Sequence, residues 1–340
     1  MPNITTNYGL TKPLPEEFYD IGVHNANMDI IDEQLQKAAA GGKRTVRLTI
    51  GASSAGWTAD QCDYLCDGTA DDAEINAAIA ALPSTGGEIV ILDGTYNITD
   101  VIDINKNYVV LRGNGYKTNL RRGFDGGRLI YNSGDHVVIE NLSVDGVSYT
   151  YTADSNDGIY SYTPNTIIRG CIIQNESAYG IHVSGAKAKV IGNTVTDCTG
   201  SGIYIDDDNC TVTGNIVLSC GEAGIKVCDK NNVVTGNVAR LNAIANMYLF
   251  YATNCIVTGN NFAVNDDDTV IPEEAAIYLS GTSNSGNLVL DNHMGVGGFY
   301  IYGGTGNVVA NTPAITYDTT DITAGSASTE PEGSLHFVIE

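Results

Sequence analysis

A phrase of five residues returns at a constant interval through the middle of this sequence. Its copies begin at Gly158, Gly180, Gly202, Gly224, Asn246, Ala276 and Gly298. The first five copies are 22 residues apart, and so are the last two. This interval is too short for a pair of helices and matches one coil of a parallel β-helix, in which short strands alternate with tight turns. We therefore predict an all-β solenoid.

The residues within each phrase alternate in polarity. The second and fourth residues are apolar, as in Ile203 and Ile205, or Ile225 and Val227. The third and fifth are polar or aromatic. This period of two is typical of a strand that buries one face in a core and turns the other outward.

A second phrase, glycine followed by asparagine, runs in step with the first. It places Asn193, Asn215, Asn237 and Asn260 at intervals of 22 or 23 residues, and Cys171 takes the same place one coil earlier. The glycine predicts a corner with positive φ. We expect the asparagines to turn inward, each amide bonding to the backbone of a neighbouring coil, so that their role is structural.

Cysteines also repeat at the coil interval. Cys198 and Cys220 lie one period apart, which predicts small core residues stacked on each other. Stacked strands are about 4.8 Å apart, so this pair lies within reach of a disulfide. A reducing compartment of synthesis favours free thiols instead.

The composition limits the partners of the chain. There are 40 acidic and 17 basic residues, for a formal charge of −23, which disfavours nucleic acid and anionic membranes. Neutral sugars, basic surfaces or metal ions are easier partners. The first ten residues have neither a basic nor an apolar region, and no stretch approaches 18 apolar residues. We expect no signal peptide, no membrane span and synthesis in a cytoplasm.

A helix is predicted before the coils, because an open β-helix needs a cap. Residues 69–83 read TADDAEINAAIAALP, with Thr69 and Asp72 as a capping box and an apolar stripe at Ile75, Ile79 and Leu82. The phrase GTYNI follows at residues 94–98. This helix with GTYNI resembles the start of right-handed parallel β-helices of the pectate-lyase-like superfamily, over residues 60–312. The superfamily holds lyases, hydrolases, phage tailspikes and adhesins, so the resemblance implies the fold more strongly than a function.

The first 43 residues differ in kind from the coils. Met28, Ile31, Leu35 and Ala38 follow the spacing of a coiled-coil seam on a short helix. A helix this short needs a partner. We expect self-association as a homotrimer, with packing on the chain's own β-helix as the alternative. The predicted domains are residues 1–43 for attachment and oligomerisation, 44–84 for the cap, 85–312 for the β-helix and 313–340 for a C-terminal β tail.

Both ends resemble phage and prophage tail proteins. The segment TNYGLTKPLPEEFYDIGVHNANMDIIDEQL is similar to the N-terminal part of tail and baseplate accessory proteins, and AITYDTTDITAGSASTEPEGSLHFVIE is similar to a C-terminal tail that they share. The resemblance implies a virion tail protein made in the host cytoplasm. Its expected partners are other tail or baseplate proteins and a cell-surface polysaccharide.

Two longer coils bound a predicted outward surface. The insertions at 145–157 and 264–275 fall in the same part of the coil, and five phrases lie between them. At the spacing of neighbouring strands, the outward surface of these five phrases, here called the floor, is on the order of 20 Å long. Its outward column is Tyr160, His182, Tyr204, Lys226 and Tyr248, and it continues beyond the second insertion as Tyr278 and Tyr300. Three interpretations stay open: sugar stacking, a subunit contact, and a plain strand ladder. For a glycan site, the predicted binding residues are Tyr160, Tyr204, Tyr248, Asp207 and Asp229.

Acid–base candidates lie in the middle of this floor. Asp206 and Asp208 are the predicted catalytic carboxylates, with His182 one coil before and Lys226 one coil after. Crowded carboxylates raise one another's pKa, which holds one carboxyl protonated while another stays ionised. A glycosidase needs this division of roles. A lyase would use Lys226 or His182 as the base. The alternatives are a solvated acidic turn or a Ca²⁺ site, and no other cofactor is expected.

The sequence departs from the enzymes it resembles. Polygalacturonase-like hydrolases carry NTD, GHG and RIK phrases, and none of these occurs in this chain. The leading hypothesis is therefore a tail-associated, receptor-binding protein that contacts a cell-surface glycan. The alternatives are a polysaccharide-degrading enzyme of tailspike type and a non-enzymatic spacer or scaffold.

Overall fold

The chain divides into two compact units, Met1–Thr45 and Val46–Glu340. The computed structural model describes residues 3–4, 11–12, 21–39, 46–147, 156–264, 275–295, 298–302 and 304–310. Most of both predicted insertions and the whole of residues 313–340 therefore lie outside the described residues.

The described residues of the first unit form two short strands and one helix. Strands β1 (Asn3–Ile4) and β2 (Thr11–Lys12) pair antiparallel, and helix α1 spans Ile21–Ala39. On α1 the side chains of Met28 and Ile31 are 50% and 37% exposed. Those of Leu35 and Ala38 lie outside the described part, so the seam stays a prediction. No described helix is long and apolar enough to cross a membrane.

The second unit begins with a helix set among strands. Its first elements are β3 (Arg47–Ala52), a 3-10 turn (Ser53–Ala55), β4 (Tyr64–Cys66), α2 (Asp72–Ala81), β5 (Gly87–Ile91), β6 (Gly94–Ile98), β7 (Ile102–Ile104), β8 (Val109–Arg122), β9 (Ile130–Asn132) and β10 (Val138–Asp145). Strand β3 pairs in parallel with β5. Strand pairing of the solenoid therefore starts inside the segment predicted as a cap.

The start of α2 corrects the predicted capping box. The helix begins at Asp72, and Thr69 lies outside it. The carboxylate of Asp71 accepts the backbone N–H groups of Gly68 and Asn97 at 2.8 and 2.7 Å, while Asp72 accepts that of Thr99 at 2.7 Å. The two acidic residues bind the helix to strand β6 and the residue that follows it, because those strand N–H groups need acceptors. The apolar stripe of α2 is buried, as predicted.

The remaining strands are short and parallel. They are β11 (Ile159–Ser161), β12 (Ile167–Arg169), β13 (Ile172–Gln174), β14 (Ile181–Val183), β15 (Lys189–Ile191), β16 (Thr194–Thr196), β17 (Ile203–Ile205), β18 (Thr211–Thr213), β19 (Ile216–Leu218), β20 (Ala223–Val227), β21 (Val233–Thr235), β22 (Val238–Arg240), β23 (Ala245–Phe250), β24 (Ile256–Thr258), β25 (Asn261–Val264), β26 (Ala275–Ser280), β27 (Leu288–Leu290), β28 (His293–Gly295), β29 (Gly298–Tyr302) and β30 (Val308–Ala310). Each pairs with the strand in the same place of the next coil, so the predicted parallel β-helix is confirmed.

One sheet carries the repeated phrase in exact steps of a coil. Its order is β29-β26-β23-β20-β17-β14-β11-β9-β7. Tyr204 of β17 is in register with His182 of β14 and Lys226 of β20. Ile203 and Ile205, on either side of Tyr204, are fully buried. The predicted alternation of inward and outward residues is confirmed.

The asparagine ladder is also confirmed. The side-chain oxygen of Asn215 accepts the backbone N–H of Asn193 at 2.9 Å, and Asn237 and Asn260 repeat this bond one coil on, each at 2.9 Å. The amide nitrogen of Asn215 donates to the backbone oxygen of Val190 at 2.9 Å. The preceding glycines have φ between 61° and 66° at 192, 214, 236 and 259. That conformation costs little only without a Cβ.

All eight cysteines are buried free thiols. A hydrogen bond with the Cys220 thiol, followed by burial, raises the pKa of Cys198 well above its usual value. The two residues therefore belong to the core as stacked thiols, which is the reading that a reducing compartment favoured.

Replacing Asn215 with alanine tests the ladder. The loss should lower the free energy of unfolding by about 1–3 kcal/mol, because the backbone N–H of Asn193 would stay buried without an acceptor. Urea unfolding measures it, with Thr213→Ala on the same coil as a control expected to stay within about 0.5 kcal/mol. Equal stability of both variants would contradict a structural role for the ladder.

Replacing Ile31 with aspartate tests the seam on α1. A charge at the centre of an apolar helix contact opposes association, so the mass measured by light scattering should fall from that of a trimer to that of one chain. Asp29→Asn, one residue beyond Met28 and outside the seam, is the control. An unchanged mass for Ile31→Asp would remove α1 as the subunit contact.

Candidate functional site

A column of aromatic and charged side chains faces outward along the phrase-bearing sheet. Its members, here called the aromatic column, are Tyr131, Tyr160, His182, Tyr204, Lys226, Tyr248 and Tyr278. All are half-buried rather than fully exposed. The parallel register brings them together, since each occupies the same position of successive coils. Tyr131 extends the column by one coil beyond the predicted set.

The rings of the aromatic column cover one another's faces. His182 lies 4.6 Å from Tyr160 and 4.7 Å from Tyr204 between ring centroids, and stacks on Tyr204 at 23°. The Lys226 ammonium lies 4.7 Å from the centre of the Tyr204 ring and 5.8 Å from that of Tyr248. A bound ligand would therefore meet ring edges and hydroxyls in the middle of the column. The sequence had suggested open faces for sugar stacking.

His182 links the column to two further polar side chains. Its Nδ1 lies 3.3 Å from Oδ2 of Asp157, and its Nε2 lies 3.2 Å from Oγ of Ser184. The side chain of His182 is 14% exposed and that of Asp157 is 4% exposed. Tyr179 packs its ring edge-on against His182, with the centroids 5.2 Å apart. The imidazole is thus fixed at both nitrogens and on its sides.

Asp157 is itself held on several sides. Its Oδ1 accepts the backbone N–H of Tyr179 at 3.2 Å, and its Oδ2 lies 3.7 Å from Nε of Arg128. Its backbone oxygen accepts a hydrogen bond from Nη2 of Arg122 at 2.7 Å. Arg128 in turn covers the ring of Tyr160, 4.4 Å from its centre. These contacts leave the Asp157 carboxylate little freedom beside His182.

A buried ion pair, formed by Arg122 and Glu176, contacts the backbone of Asp157. Nε and Nη2 of Arg122 are 3.2 and 3.1 Å from Oε2 of Glu176, and both side chains are 0% exposed. Nη1 of Arg122 also donates to the backbone oxygen of Gly127 at 2.6 Å. Oε1 of Glu176 is buried and has no hydrogen-bond partner among the described residues. Burial raises the pKa of Glu176 to about 8, against the opposing charge of Arg122.

The predicted catalytic carboxylates lie at the turn after β17. Asp206 is exposed. Asp208 pairs with Lys230, whose Nζ lies 3.1 Å from Oδ2, and its Oδ1 accepts the backbone N–H of Lys230 at 3.1 Å. Burial, reinforced by the charges of Asp208, Asp206 and Asp207, raises the pKa of Asp229. Asp208 therefore stabilises the turn. Within this acidic group, the carboxyl with the raised pKa is that of Asp229.

The hydroxyls beside His182 stay protonated in the neutral range. Burial raises the pKa of Tyr179 to about 12, with Glu222 adding to the effect. Burial, followed by the neighbouring Cys228 thiol, raises the pKa of Tyr204 above its usual value. The Cys228 thiol donates to the Tyr204 oxygen at 3.7 Å. Both phenols therefore keep their protons and act as hydrogen-bond donors.

The structure thus separates the predicted site residues into two groups. Tyr160, His182, Tyr204, Lys226 and Tyr248 share the column, whereas Asp206, Asp207, Asp208 and Asp229 form the adjoining acidic turn. Sequence reasoning missed Asp157, Tyr179, Ser184, Arg122 and Glu176. A signal existed for two of them, since Asp157 and Tyr179 each stand directly before a phrase and are one period apart.

A possible metal group lies away from this column. Among the described residues, Cys66, Asp71 and Glu74 bring ligand atoms within 4.8 Å of one another. Both carboxylate oxygens of Asp71 already accept backbone N–H groups, and burial raises the pKa of the Cys66 thiol. A protonated thiol is a poor ligand, and Ca²⁺ prefers oxygen. Asp71 instead joins the start of α2 to strand β6, and the Cys66 thiol donates to the Asp71 backbone oxygen at 3.8 Å.

Replacing Glu176 with glutamine tests the state of the ion pair. The folded chain binds the Glu176 proton more tightly than the unfolded chain, so the wild type should lose stability as pH rises from 4.5 to about 8. The variant has no such titration. Over that range its free energy of unfolding should fall by about 2–4 kcal/mol less than that of the wild type. Urea unfolding at several pH values measures this.

The matched control is Glu88→Gln, a carboxylate that pairs with Arg47 and Arg112 near the surface. The free energy of unfolding of this control variant should change with pH as that of the wild type does. If Glu176→Gln also follows the wild type, Glu176 is ionised throughout and its pKa is not raised.

Comparison with known proteins agrees with this architecture. The family model described as the right handed beta helix region matches residues 107–262. No curated protein sequence matches the chain.

Three solved structures show the same fold. The mannuronan C-5 epimerase AlgE4 A-module of Azotobacter vinelandii is 18% identical, with 76% of this chain and 75% of that chain covered and a TM-score of 0.59. The DFA-IIIase of Arthrobacter chlorophenolicus A6 is 14% identical, with 78% and 84% covered and a TM-score of 0.55. The Agl-KA catalytic domain is 14% identical, with 72% and 51% covered and a TM-score of 0.56. The chain therefore has the right-handed parallel β-helix fold.

Proposed function

We propose that the chain binds a cell-surface polysaccharide along its aromatic column, as a receptor-binding protein of a phage or prophage tail. The observation that carries the proposal is the unbroken outward run from Tyr131 to Tyr278, held in register coil by coil. Strand spacing sets its members about 4.8 Å apart. A regular row of donors suits a ligand that is itself a regular chain.

Binding would use the edges of the rings. His182 and Lys226 cover the faces of Tyr204, so its hydroxyl and ring edge are the parts left for a ligand. The raised pKa of Tyr204 keeps that hydroxyl a donor. Sugar hydroxyls accept such bonds, and the ring edges offer apolar contact to the carbons between them.

The surrounding charge favours a neutral polysaccharide. The chain has a formal charge of −23, and the acidic turn with Asp206, Asp207 and Asp229 adjoins the column. A polyanionic glycan would be repelled unless cations bridged the two. Lys226 lies among rings and offsets little of this field.

The place of the protein in a tail is supported by the segments at its two ends. They resemble those of tail proteins, and this implies a homotrimer that contacts other tail or baseplate proteins. The fold adds support for the ligand class, since one of the similar structures is named as an epimerase of mannuronan, a polysaccharide.

A polysaccharide-degrading enzyme is the second candidate. The contact of His182 with Asp157 favours it, because a carboxylate that fixes an imidazole is a common arrangement in acid–base catalysis. The predicted partners fit less well, since Asp208 is bound to Lys230. Incubation with envelope polysaccharides distinguishes the two candidates. New reducing ends or the absorbance of unsaturated uronates would identify a hydrolase or a lyase.

Replacing Tyr204 with phenylalanine tests binding by the column. The ring and its packing remain, but one donor to the ligand is lost, so affinity should fall about two- to tenfold. Calorimetric titration with purified envelope polysaccharides measures this, and the melting temperature checks the fold.

Tyr116→Phe is the matched control, because Tyr116 is highly exposed on β8 and lies outside the column. It should bind as the wild type does. Equal affinity of Tyr204→Phe and the wild type would move the glycan site away from the column.

A further inference from the structure

Three side chains near the start of the column form a continuous chain of hydrogen bonds. Asp157 Oδ2 lies 3.3 Å from His182 Nδ1, and His182 Nε2 lies 3.2 Å from Ser184 Oγ. His182 and Ser184 are two residues apart on one outward face, and Asp157 comes from the preceding coil. The order is carboxylate, imidazole, hydroxyl.

The carboxylate decides which nitrogen of His182 carries the proton. A carboxylate only accepts, so Nδ1 donates to Asp157. In the neutral ring Nε2 then has a free lone pair, and the Ser184 hydroxyl donates to it. This is the tautomer in which a histidine can take a proton from a serine hydroxyl.

The arrangement is accessible at one end and anchored at the other. Ser184 is half-buried, in the turn directly after β14, and its neighbours in the same outward position are the exposed residues Tyr162 and Asp206. Asp157 is almost fully buried, and its backbone oxygen accepts a hydrogen bond from Arg122. Arg122 in turn pairs with the buried Glu176. A nucleophile needs to be reached from solvent, whereas the residue that orients its base needs to be fixed.

We propose that Ser184, His182 and Asp157 form a serine hydrolase triad that removes acyl ester groups from the polysaccharide. The substrate class rests on the proposed glycan-binding function, because the same column that would bind the sugar chain contains His182. Ser184 and His182 are the catalytic residues. Asp157 is a positioning residue, and Arg122 with Glu176 positions Asp157.

The chemistry needs only water as co-reactant. Ser184 Oγ attacks the ester carbonyl carbon while its proton passes to His182 Nε2. The bond from that carbon to the sugar oxygen then breaks, and the sugar oxygen takes the proton from Nε2. Water attacks the acyl-serine with His182 again taking a proton, and the carboxylic acid and free Ser184 result.

The neighbouring charges favour an uncharged ester. Asp206 stands one coil beyond Ser184 and would repel an anionic acyl group. Acetyl groups on neutral sugars are therefore better substrates than acyl groups that carry a negative charge. The acidic turn also favours departure of the carboxylate product.

Covalent labelling with a fluorophosphonate tests the nucleophile on the full chain. The Ser184 oxygen should displace fluoride from phosphorus, and mass spectrometry of peptides should place the label on Ser184. Ser184→Ala should abolish the label. Ser280→Ala is the matched control, since Ser280 has the corresponding outward position three phrases later and should leave labelling unchanged.

Hydrolysis of p-nitrophenyl acetate tests the base and its support. His182→Gln should lower kcat about 10²- to 10⁴-fold. Asp157→Asn should lower kcat at least about 100-fold while KM changes little, because the imidazole takes the wrong tautomer and binding is unaffected. A role of Asp157 in packing alone would lower the melting temperature and leave kcat per folded molecule unchanged.

The outcomes separate this proposal from the proposed function. Glycan binding without a label on Ser184, or a label that persists in His182→Gln, would overturn the triad and leave the binding function standing. Labelling and ester hydrolysis at Ser184 without polysaccharide affinity would support the triad and overturn the glycan proposal. Release of acetate from an acetylated envelope polysaccharide, lost in Ser184→Ala, supports both.

Discussion

Asparagine amides buried at one corner of each coil hold neighbouring coils in register. Each amide oxygen accepts a backbone N–H of the coil before it, from Cys171 through Asn193, Asn215 and Asn237. A corner has backbone groups that no strand pairing satisfies, and buried groups of this kind need partners. The ladder therefore fixes the register at this corner and reinforces the register that strand pairing sets along the sheets.

The outward face follows from that register. Tyr160, His182 and Tyr204 pack ring on ring because the same position recurs at each coil, so a sequence interval becomes a distance of 4.6–4.7 Å between rings. The stacking also explains why the rings offer edges to solvent. A pattern of alternating residues predicts which side chains point outward, but the packing of one outward residue on the next decides what a ligand can touch.

Sequence reasoning recovers the parts of this protein that repeat. The coils, the inward asparagines and the outward column all follow from spacing. Asp157 and Ser184 were missed because the residue type at each of their positions changes from coil to coil, and spacing does not predict which side chains contact His182. The start of α2 was misplaced for a similar reason, since Asp71 and Asp72 bind strand N–H groups that lie more than 25 residues away in sequence.

The buried pair of Arg122 and Glu176 is the least expected feature of the coils. Ionisable side chains with 0% exposure lose their hydration, which raises the pKa of Glu176, and an apolar pair of the same volume is often as stable. The pair is therefore not explained by stability alone. Arg122 also bonds to the backbone of Asp157 and of Gly127, at 2.7 and 2.6 Å. A guanidinium with donors in a rigid fork can hold two chain segments and a carboxylate at once, which no apolar side chain does. What the ion pair provides is the fixed position of Asp157 beside His182.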